Sequence, residues 1–305
     1  MKIFAEKSMK SLISGYILAF FTVMMWSLNL IYSKYLAGAV TPAEISFYRW
    51  FFAFIVMLPF CYKNFKAEYK VILSHWKLLI LVAATGTGGL NLLVYYAGYT
   101  ASATNMSLIS ILGPIFLIFM SAQKISTAQI TGIIVTVFGV MMIILNGNFN
   151  SLSAFKFVDG DIYMLGSALL FAIYAVLQKR IPENVHTISM LFATVILCAL
   201  AFLPPAVSEF SLNKIANWSY TVWIVLLILG IINSFLAYLF WDIAIQKIGT
   251  LAAGALYYTM PIFTMFFSFI FLHEKADMVQ FIGMLIIFAG IIPILLPDFK
   301  EQKHI

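Results

Sequence analysis

Charged side chains are scarce in this chain of 305 residues. Lysine and arginine number 18 and aspartate and glutamate 12, which is 10% of the sequence; soluble proteins carry about 25%. Hydrophobic residues make up 63%, so the composition excludes a water-soluble domain. The net charge of +6 would suggest a nucleic-acid ligand in a soluble protein. Here the basic residues fall in short loops that orient membrane spans, and no nucleic-acid partner is expected.

Cysteine and the motifs of common enzymes are also sparse. Cys61 and Cys198 lie at or inside apolar segments without CxxC spacing, which argues against a disulfide framework and a metal site. The chain has no HExxH, no GxSxG and no paired histidines, so we expect neither an enzyme nor a cofactor. It also lacks the Walker A motif of ATP-driven pumps and the charge rings or repeated filter of a channel. A membrane enzyme and a channel are the alternatives to a carrier.

Long apolar segments dominate what is present. A span needs about 20 apolar residues to cross ~30 Å of hydrocarbon. The first segment is too long for a signal-peptide core and has no evident cleavage site, so we expect an uncleaved span. The breaks between spans three and four and between spans eight and nine are short, at 98–102 and 247–249. The ten predicted spans are approximately 14–36, 42–62, 76–97, 101–122, 128–146, 160–180, 187–206, 219–241, 250–272 and 278–297.

Basic residues collect on one side of this predicted membrane. With the N-terminus in the cytoplasm, thirteen lysines and arginines lie inside and four outside, while Arg49 lies within a span. Cytoplasmic loops of membrane proteins carry an excess of positive charge. We therefore predict a multi-pass protein of the cell's inner (plasma) membrane with both termini in the cytoplasm.

The two halves of the chain carry the same pattern. Five spans per half place the second half in the opposite orientation, so we expect an all-α membrane protein of ten transmembrane helices in two inverted five-helix repeats. The repeats are predicted at residues 1–146 and 160–305, with an extracytoplasmic linker at 147–159. Secondary transporters built in this way bind substrate between the repeats. The pairs that coincide at an offset of 145 residues are Gly15 with Gly160, Trp26 with Phe171 and Lys34 with Lys179.

Short motifs recur at corresponding places in the two halves. The second span begins with Pro42-x-Glu44-x4-Arg49, and a proline interrupts an apolar run in each half, at Pro114 and Pro261. The second half then reads Glu274-x5-Gln280-x2-Gly283-x6-Gly290, and the first half reads Gln123-x5-Gln129-x2-Gly132-x6-Gly139. With these motifs the chain resembles the EamA-type branch of the drug/metabolite transporter superfamily over nearly its whole length. Gln123 stands where the family usually has glutamate, so any role of that carboxylate is absent from the first half.

The resemblance implies a fold and a class of function. Members have two inverted five-helix repeats around a central cavity and move amino acids, related metabolites or drugs across the membrane. We therefore expect a secondary transporter working by alternating access, whose partners are a small-molecule substrate and the lipid bilayer. An amino-acid-like metabolite is the first choice of substrate and a drug-like cation the second. The direction of transport, efflux or uptake, is open.

Four charged residues at or near membrane depth are candidates for function, because a charge in hydrocarbon is costly. Arg49 could bind a substrate carboxylate in bidentate geometry, or could form a structural ion pair or extend to the outer surface. Asp242 is the first choice for proton coupling, with an interfacial pair to Lys247 as the alternative. Glu44 lies at the entry to span two. Glu274 is expected to cap or pin the turn between spans nine and ten next to Lys275, with proton coupling as the alternative.

Neutral polar and aromatic side chains form a second group of candidates. Trp26 and Asn29 share a face of span one at i,i+3 spacing, and Phe171 and Tyr174 occupy the equivalent face of span six. These faces would line a central cavity for an amphipathic organic molecule, unless the asparagine only joins packed helices. The further candidates for the cavity wall are Asn91, Tyr95, Asn105, Tyr238, Trp241 and Tyr257.

Proline and glycine predict local features of the helices. Pro114 and Pro261 are expected to bend their helices, and Pro261 frees the carbonyl of Tyr257 for a substrate or for packing alone. The cluster Gly86-x-Gly88-Gly89 indicates close helix approach or a flexible gate. Glycines spaced by seven in spans five and ten indicate packing seams. Those two spans have almost no polar interior residues, so they are expected to form scaffold or a homodimer contact.

Overall fold

The computed structural model describes residues 9–120, 126–145, 147, 158–178, 180–182, 184–274 and 277–295. These residues fold into α-helices joined by short turns and by three π-helical segments, and no β-strand occurs among them. The predicted linker at 147–159 falls almost wholly outside the described residues. The α-helices are α1 Met9–Leu36, α2 Pro42–Ser74, α3 Trp76–Val82, α4 Leu90–Ala97, α5 Ala103–Ser110, α6 Leu112–Met120, α7 Thr127–Ile144, α8 Asp159–Gln178, α9 Thr187–Ser208, α10 Leu212–Ala216, α11 Tyr220–Ile228, α12 Ala237–Tyr257, α13 Met260–Phe267 and α14 Met278–Leu295.

Membrane-spanning length is reached by six helical segments in the described part of the chain. They are Met9–Leu36, Pro42–Ser74, Trp76–Ala97, Asp159–Gln178, Thr187–Ser208 and Tyr220–Ile248. Four shorter apolar helical stretches occupy Ala103–Leu117, Thr127–Ile143, Met260–Leu272 and Met278–Pro293. Backbone polar groups in hydrocarbon must be satisfied internally, which such helices achieve. The protein is therefore an all-α, multi-pass membrane protein.

Polar residues just before the helices determine where several of them begin. Thr41 caps α2 in a capping box: its side chain accepts from the N–H of Glu44, and Glu44 accepts from the N–H of Thr41. Pro42 follows at the first helical position, where its missing N–H costs nothing. Ser126 and Gln129 form the same box at the start of α7. The predicted starts of spans two and five are thus fixed by local chemistry.

Of the two short breaks predicted between helices, the structure has the one at 98–102 and not the one at 247–249. The chain turns at 98–102 as predicted, between α4 and α5. The predicted break at 247–249 is wrong, because α12 continues through these residues to Tyr257 and ends at a turn formed by Tyr258 and Thr259. Pro261 follows that turn, and proline disfavours helical geometry in the residue before it and removes a hydrogen bond. Ile111 makes the corresponding interruption before Pro114.

Each principal interhelical contact joins the first half of the chain to the second. Helix α1 packs on α12 and α13, and α8 packs on α4 and α6. Helix α2 packs on α9, and α7 packs on α14. Under the repeat offset, the two contacts of α1 correspond to the two contacts of α8. The α2–α9 contact and the α7–α14 contact each correspond to themselves. The core of the molecule therefore lies between the halves rather than within either of them.

Small residues permit this close approach. A Cβ added at Gly160 would lie 2.7 Å from the Cβ of Ala101, and Gly160 N–H donates to Thr100 Oγ1 at 2.8 Å. Its repeat equivalent, Gly15, packs on the other half in the same way, since an added Cβ would lie 2.6 Å from Ile248 Cγ2. Helices in a membrane approach closely where residues are small. The two glycines matched by sequence therefore mark equivalent contacts.

The glycines of α7 and α14 face one another. An added Cβ at Gly283 would lie 3.2 Å from the carbonyl oxygen of Gly139, and one at Gly290 would lie 2.7 Å from that of Gly132. The predicted packing seams are therefore halves of one contact inside the chain. A homodimer through these two helices stays a prediction, and it would have to use their other faces.

We expect Gly290→Ala to destabilise the protein. The added methyl group would lie 2.5 Å from Thr136 Oγ1 and 2.6 Å from its backbone nitrogen, and overpacking of this kind typically costs about 1–3 kcal/mol. Thermal unfolding in detergent should show a lower apparent Tm. Gly254→Ala is the matched control, because nothing lies within 4 Å of its added Cβ. Equal unfolding temperatures for the two variants would contradict the tight contact.

Candidate functional site

A cavity lies between the two halves, where α1, α4, α5, α8, α12 and α13 meet. It encloses about 580 Å³ of space, including the part open to solvent. Seven of the residues singled out from the sequence line it: Trp26, Asn29, Asn91, Phe171, Tyr174, Tyr238 and Tyr257. The paired faces of spans one and six thus meet in one cavity.

Aromatic rings form much of the wall. Trp26 packs edge-on against Tyr238 at 5.6 Å and Tyr257 at 6.2 Å between ring centroids. Phe171 stacks on Tyr257 at 5.1 Å. Trp241 packs against Trp26 at 5.1 Å, so it supports the wall from behind. These contacts give the cavity an apolar lining suited to a flat hydrocarbon group.

Arg49 lies behind the polar part of the wall and has no exposed surface. Its Nε donates to the hydroxyl of Ser234, and its Nη2 donates to the backbone carbonyl of Asn233 at 3.1 Å. The guanidinium also lies over the ring of Trp50, 4.8 Å from its centroid. Its Nη1 has three acceptors, which are Tyr95 OH at 2.6 Å, Asn91 Oδ1 at 2.7 Å and Asn29 Oδ1 at 3.2 Å. All of these hydrogen-bond partners are neutral.

The network continues from Arg49 to the cavity. Because a guanidinium has only donors, it fixes the amide of Asn91 with its oxygen inward. Asn91 Nδ2 then donates to Tyr238 OH and to the carbonyl of Thr87, each at 2.9 Å. Tyr238 OH donates onward to the carbonyl of Gly86 at 3.1 Å. One buried cation therefore sets the orientation of three polar groups of the wall, on Asn29, Asn91 and Tyr238.

No carboxylate of the described residues forms an ion pair with Arg49. Glu44, five residues earlier, is turned away and accepts from Lys214 Nζ at 2.6 Å as well as capping α2. Within the described residues Arg49 therefore forms no ion pair, and it does not extend to the outer surface. A buried charge solvated only by neutral groups costs several kcal/mol. The polar network is thus centred on a cation whose hydrogen-bond partners in the described part of the chain are all neutral.

Three further candidates lie elsewhere. Asn105 is in the first turn of α5, where its N–H donates to the hydroxyl of the capping residue Ser102 at 3.1 Å, and it does not line the cavity. Its predicted place in the wall is wrong because it belongs to a helix end. Asp242 is buried within α12 rather than at a helix end, and Lys247 Nζ donates to Ser14 Oγ at 2.7 Å.

Glu274 follows the last π-helical segment. Its N–H donates to the carbonyl of Ser268 at 3.2 Å, which pins the chain at the end of that segment. Its Oε2 is buried and has no hydrogen-bond partner in the described part of the chain. Lys275, the neighbour expected to share the turn, lies outside the described residues.

Two π-helical segments border the network at equivalent places in the halves, Ala83–Gly89 and Leu229–Leu236. They supply the carbonyl of Gly86 and the Asn233–Ser234 pair that holds Arg49. A Cβ at Gly86 would lie 2.0 Å from the Tyr174 ring, so only glycine admits that ring. Single turns of π-helix are frequent at functional sites. Periodicity missed them, although the glycine cluster indicated close approach at this place.

Prolines point to a wall residue that the sequence reasoning missed. Pro114 and Pro261 lack the N–H that could bond to the carbonyl four residues earlier, which belongs to Ser110 and Tyr257. Both of these residues line the cavity. The rule that singled out Tyr257 would also have found Ser110. The other wall residues absent from the predictions are Leu30, Leu90, Val94, Met164, Ser167, Ala168 and Met260.

Comparison with known proteins supplies the family. The model of the EamA-like transporter family matches residues 13–145 and 158–296. An uncharacterized transporter of Archaeoglobus fulgidus is 25% identical over 272 residues, covering 88% of this chain and 93% of that protein. A probable terminal-alkyne amino-acid exporter of Streptantibioticus cattleyicolor is 23% identical over 218 residues, covering 70% of this chain and 71% of that protein.

A solved crystal structure shares the fold. It superposes with a TM-score of 0.60 and covers 96% of this chain and 99% of its own, at 18% identity. The family match extends over both halves of the chain, in agreement with the all-helical architecture and the contacts between the halves. The chain therefore belongs to the EamA-like transporter family of the drug/metabolite transporter superfamily and is a membrane transporter.

Proposed function

We propose that this protein is a secondary transporter that moves a small amphipathic organic molecule by alternating access, and that it is not an enzyme. The observation that carries the proposal is the cavity between the halves, whose wall combines aromatic rings with an oriented polar network. Substrate sites of such transporters lie where two repeats meet. The proposed repeats are residues 1–146 and 160–305, with an outer linker at 147–159 and ten spans in all.

An amino-acid-like metabolite is the substrate class that we favour, with a drug-like molecule second. The wall offers stacked rings for an apolar side chain and polar groups for a head group. A relative named as an amino-acid exporter supports this order. Efflux and uptake are both compatible with such a carrier, since the solute gradient sets the direction.

Polar contacts at opposite ends of α2 fit alternating access. Near its first residues, Glu44 pairs with Lys214 at 2.6 Å, and near its last turn Glu68 accepts from the N–H of His186 at 2.9 Å. Both contacts join the first half of the chain to the second. We propose that one contact opens while the other stays closed, which exposes the cavity to one side of the membrane at a time.

The cavity should select its substrate through Asn29 and Tyr174. We expect Asn29→Ala and Tyr174→Ala each to lower solute flux by roughly tenfold, as loss of about 1.4 kcal/mol of binding would do. Expression should stay close to that of the wild type. Asn105→Ala is the control, because Asn105 does not line the cavity. Loss of folding in both cavity variants would favour a packing role instead.

Orientation is a second expectation, based on the thirteen basic residues placed inside. A cysteine introduced at Asn150, in the proposed outer linker, should react with an impermeant thiol reagent on intact cells. Lys66→Cys should stay unlabelled until the cells are opened. The native background is low because Cys61 and Cys198 are buried. Labelling of Lys66→Cys on intact cells would show that the orientation is the reverse.

Transport itself is tested with purified protein in liposomes. We expect uptake of radiolabelled apolar amino acids, such as phenylalanine, leucine and tryptophan, without single-channel currents. Failure of every amino acid and lipophilic drug to cross would contradict the proposal, and single-channel currents would indicate a channel.

An imposed pH gradient extends the same liposome experiment to energy coupling. We propose Asp242, buried within α12, as the coupling group. The gradient should then accelerate uptake in the wild type and not in Asp242→Asn. Equal acceleration in the variant would exclude coupling through Asp242 and favour facilitated exchange.

A further inference from the structure

We infer that the cavity binds the carboxylate of its ligand at the side-chain amide of Asn29, with the charge of Arg49 behind it, and that it rejects cations. The inference rests on the proposed function, since it specifies the substrate class of the same cavity. It is carried by the direction of one amide group and by one uncompensated charge.

The direction of the Asn29 amide is forced. Its Oδ1 accepts from Arg49 Nη1 at 3.2 Å and from Tyr95 OH at 3.3 Å. A guanidinium has no acceptor, so the oxygen and not the nitrogen must face it. The two N–H groups of Asn29 therefore point away from Arg49. Asn29 is only 5% exposed, and the surface that it retains lies in the cavity wall.

The Asn29 amide nitrogen is a donor without an acceptor. Throughout the described ranges of the chain, no oxygen accepts a hydrogen bond from Asn29 Nδ2. Its neighbours in the network are satisfied: Asn91 Nδ2 donates to Thr87 and Tyr238, and Tyr238 donates to Gly86. The nitrogen is not fully buried, and the surface that Asn29 retains lies in the cavity wall. An acceptor on a molecule in the cavity would therefore give the amide the hydrogen bond that it lacks among the described residues.

The charge of Arg49 then distinguishes among acceptors. Its guanidinium is surrounded by neutral oxygens, and no carboxylate of the described residues pairs with it. Asp242 is the acidic residue whose charge acts on Tyr174 of the wall, and it makes no hydrogen bond to Arg49. In a poorly solvated interior the field of a charge extends beyond its hydrogen-bonded neighbours. A carboxylate oxygen at Asn29 would satisfy the amide and also face the cation. A neutral acceptor would accept from the amide but would not compensate the cation. An ammonium group would neither accept from the amide nor compensate the cation.

The rest of the ligand is constrained by the rings. Trp26 lies one turn before Asn29 on the same face of α1, and it contacts Tyr238 and Tyr257. Phe171 stacks on Tyr257 across the cavity from α8. Aromatic faces attract cations in many proteins, but here the nearby full positive charge opposes that attraction. The geometry therefore fits an apolar or aromatic carboxylate, with an α-ammonium group held away from Arg49.

Three probes of one shape test the inference on the purified full-length protein. They are 3-phenylpropionate, 3-phenylpropan-1-ol and phenethylamine, which share a phenyl ring and differ in the charge of the other end. A ligand that binds the folded state raises the melting temperature with its concentration. We expect a saturable rise with the acid, a smaller rise with the alcohol and none with the amine. Equal shifts with the acid and the amine would overturn the inference.

The variant Asn29→Asp gives the decisive comparison. It keeps the shape of the side chain and an oxygen for Arg49, so folding should be preserved, but it replaces the donor with a negative charge. We expect Kd for 3-phenylpropionate to rise roughly tenfold or more, which is the effect of losing one charge-assisted hydrogen bond. Asn105→Asp, outside the cavity wall, should bind the acid as the wild type does. Unchanged binding in Asn29→Asp would overturn the site.

The outcomes separate this inference from the transport proposal. Binding of the acid without flux of any solute in liposomes would leave the carboxylate site standing and contradict the carrier. Flux of amines or neutral drugs without binding of the acid would support the carrier and contradict the carboxylate site. The probe comparison on the wild type decides the matter even if the aspartate variant fails to fold.

Discussion

The buried guanidinium of Arg49 is the constraint on which the centre of the molecule depends. A charge at membrane depth must be solvated by protein, since lipid offers nothing. Here the oxygens come from α1, α4 and the segment Leu229–Leu236, while Arg49 itself is on α2. Four elements from both halves are thereby held at fixed positions around one group. The orientations of Asn29, Asn91 and Tyr238, three of the polar side chains in the cavity wall, follow from that arrangement.

The remainder of the architecture permits the halves to approach one another. Lipid tails are as apolar as leucine, so packing in a membrane depends on close fit rather than on the hydrophobic effect. Glycines at 15, 160, 283 and 290 lie at contacts where a methyl group would clash. Gly86 does the same for the ring of Tyr174. These positions place the rings and the polar network close enough to line one cavity between the halves.

Hydropathy and repetition predicted much of this structure. The apolar runs gave the helices, and the coincidence of Trp26 with Phe171 placed both in one wall. Residues spaced i,i+3 lie on one face of a helix. Asn29 and Tyr174 could therefore be predicted to share the wall with Trp26 and Phe171, without knowledge of contacts between helices. The break predicted at 247–249 is misplaced because the polar residues there do not end the helix. The helix ends near Pro261, where proline chemistry favours an interruption.

The hydrogen-bond partners of Arg49 could not be predicted from sequence patterns. They depend on how four helices rotate about their axes, and hydropathy does not record rotation for helices that are apolar on nearly every face. The π-helical turns shift the register of the residues that follow, which no 3.6-residue pattern anticipates. Asn105 shows a second limit of sequence patterns. An asparagine in an apolar run predicts an interior position, but Asn105 lies in the first turn of a helix.

Arg49 has no arginine at the equivalent position in the second half of the chain. At the offset of 145 residues, Arg49 corresponds to Thr194, whose hydroxyl only donates to the carbonyl of Leu191 in its own helix. The contacts between the halves are nearly equivalent under the offset, but the charge at this position is not. A dipolar molecule bound as we propose would therefore keep one end-to-end orientation in the cavity. An arginine on one side only makes the two ends of that cavity chemically different.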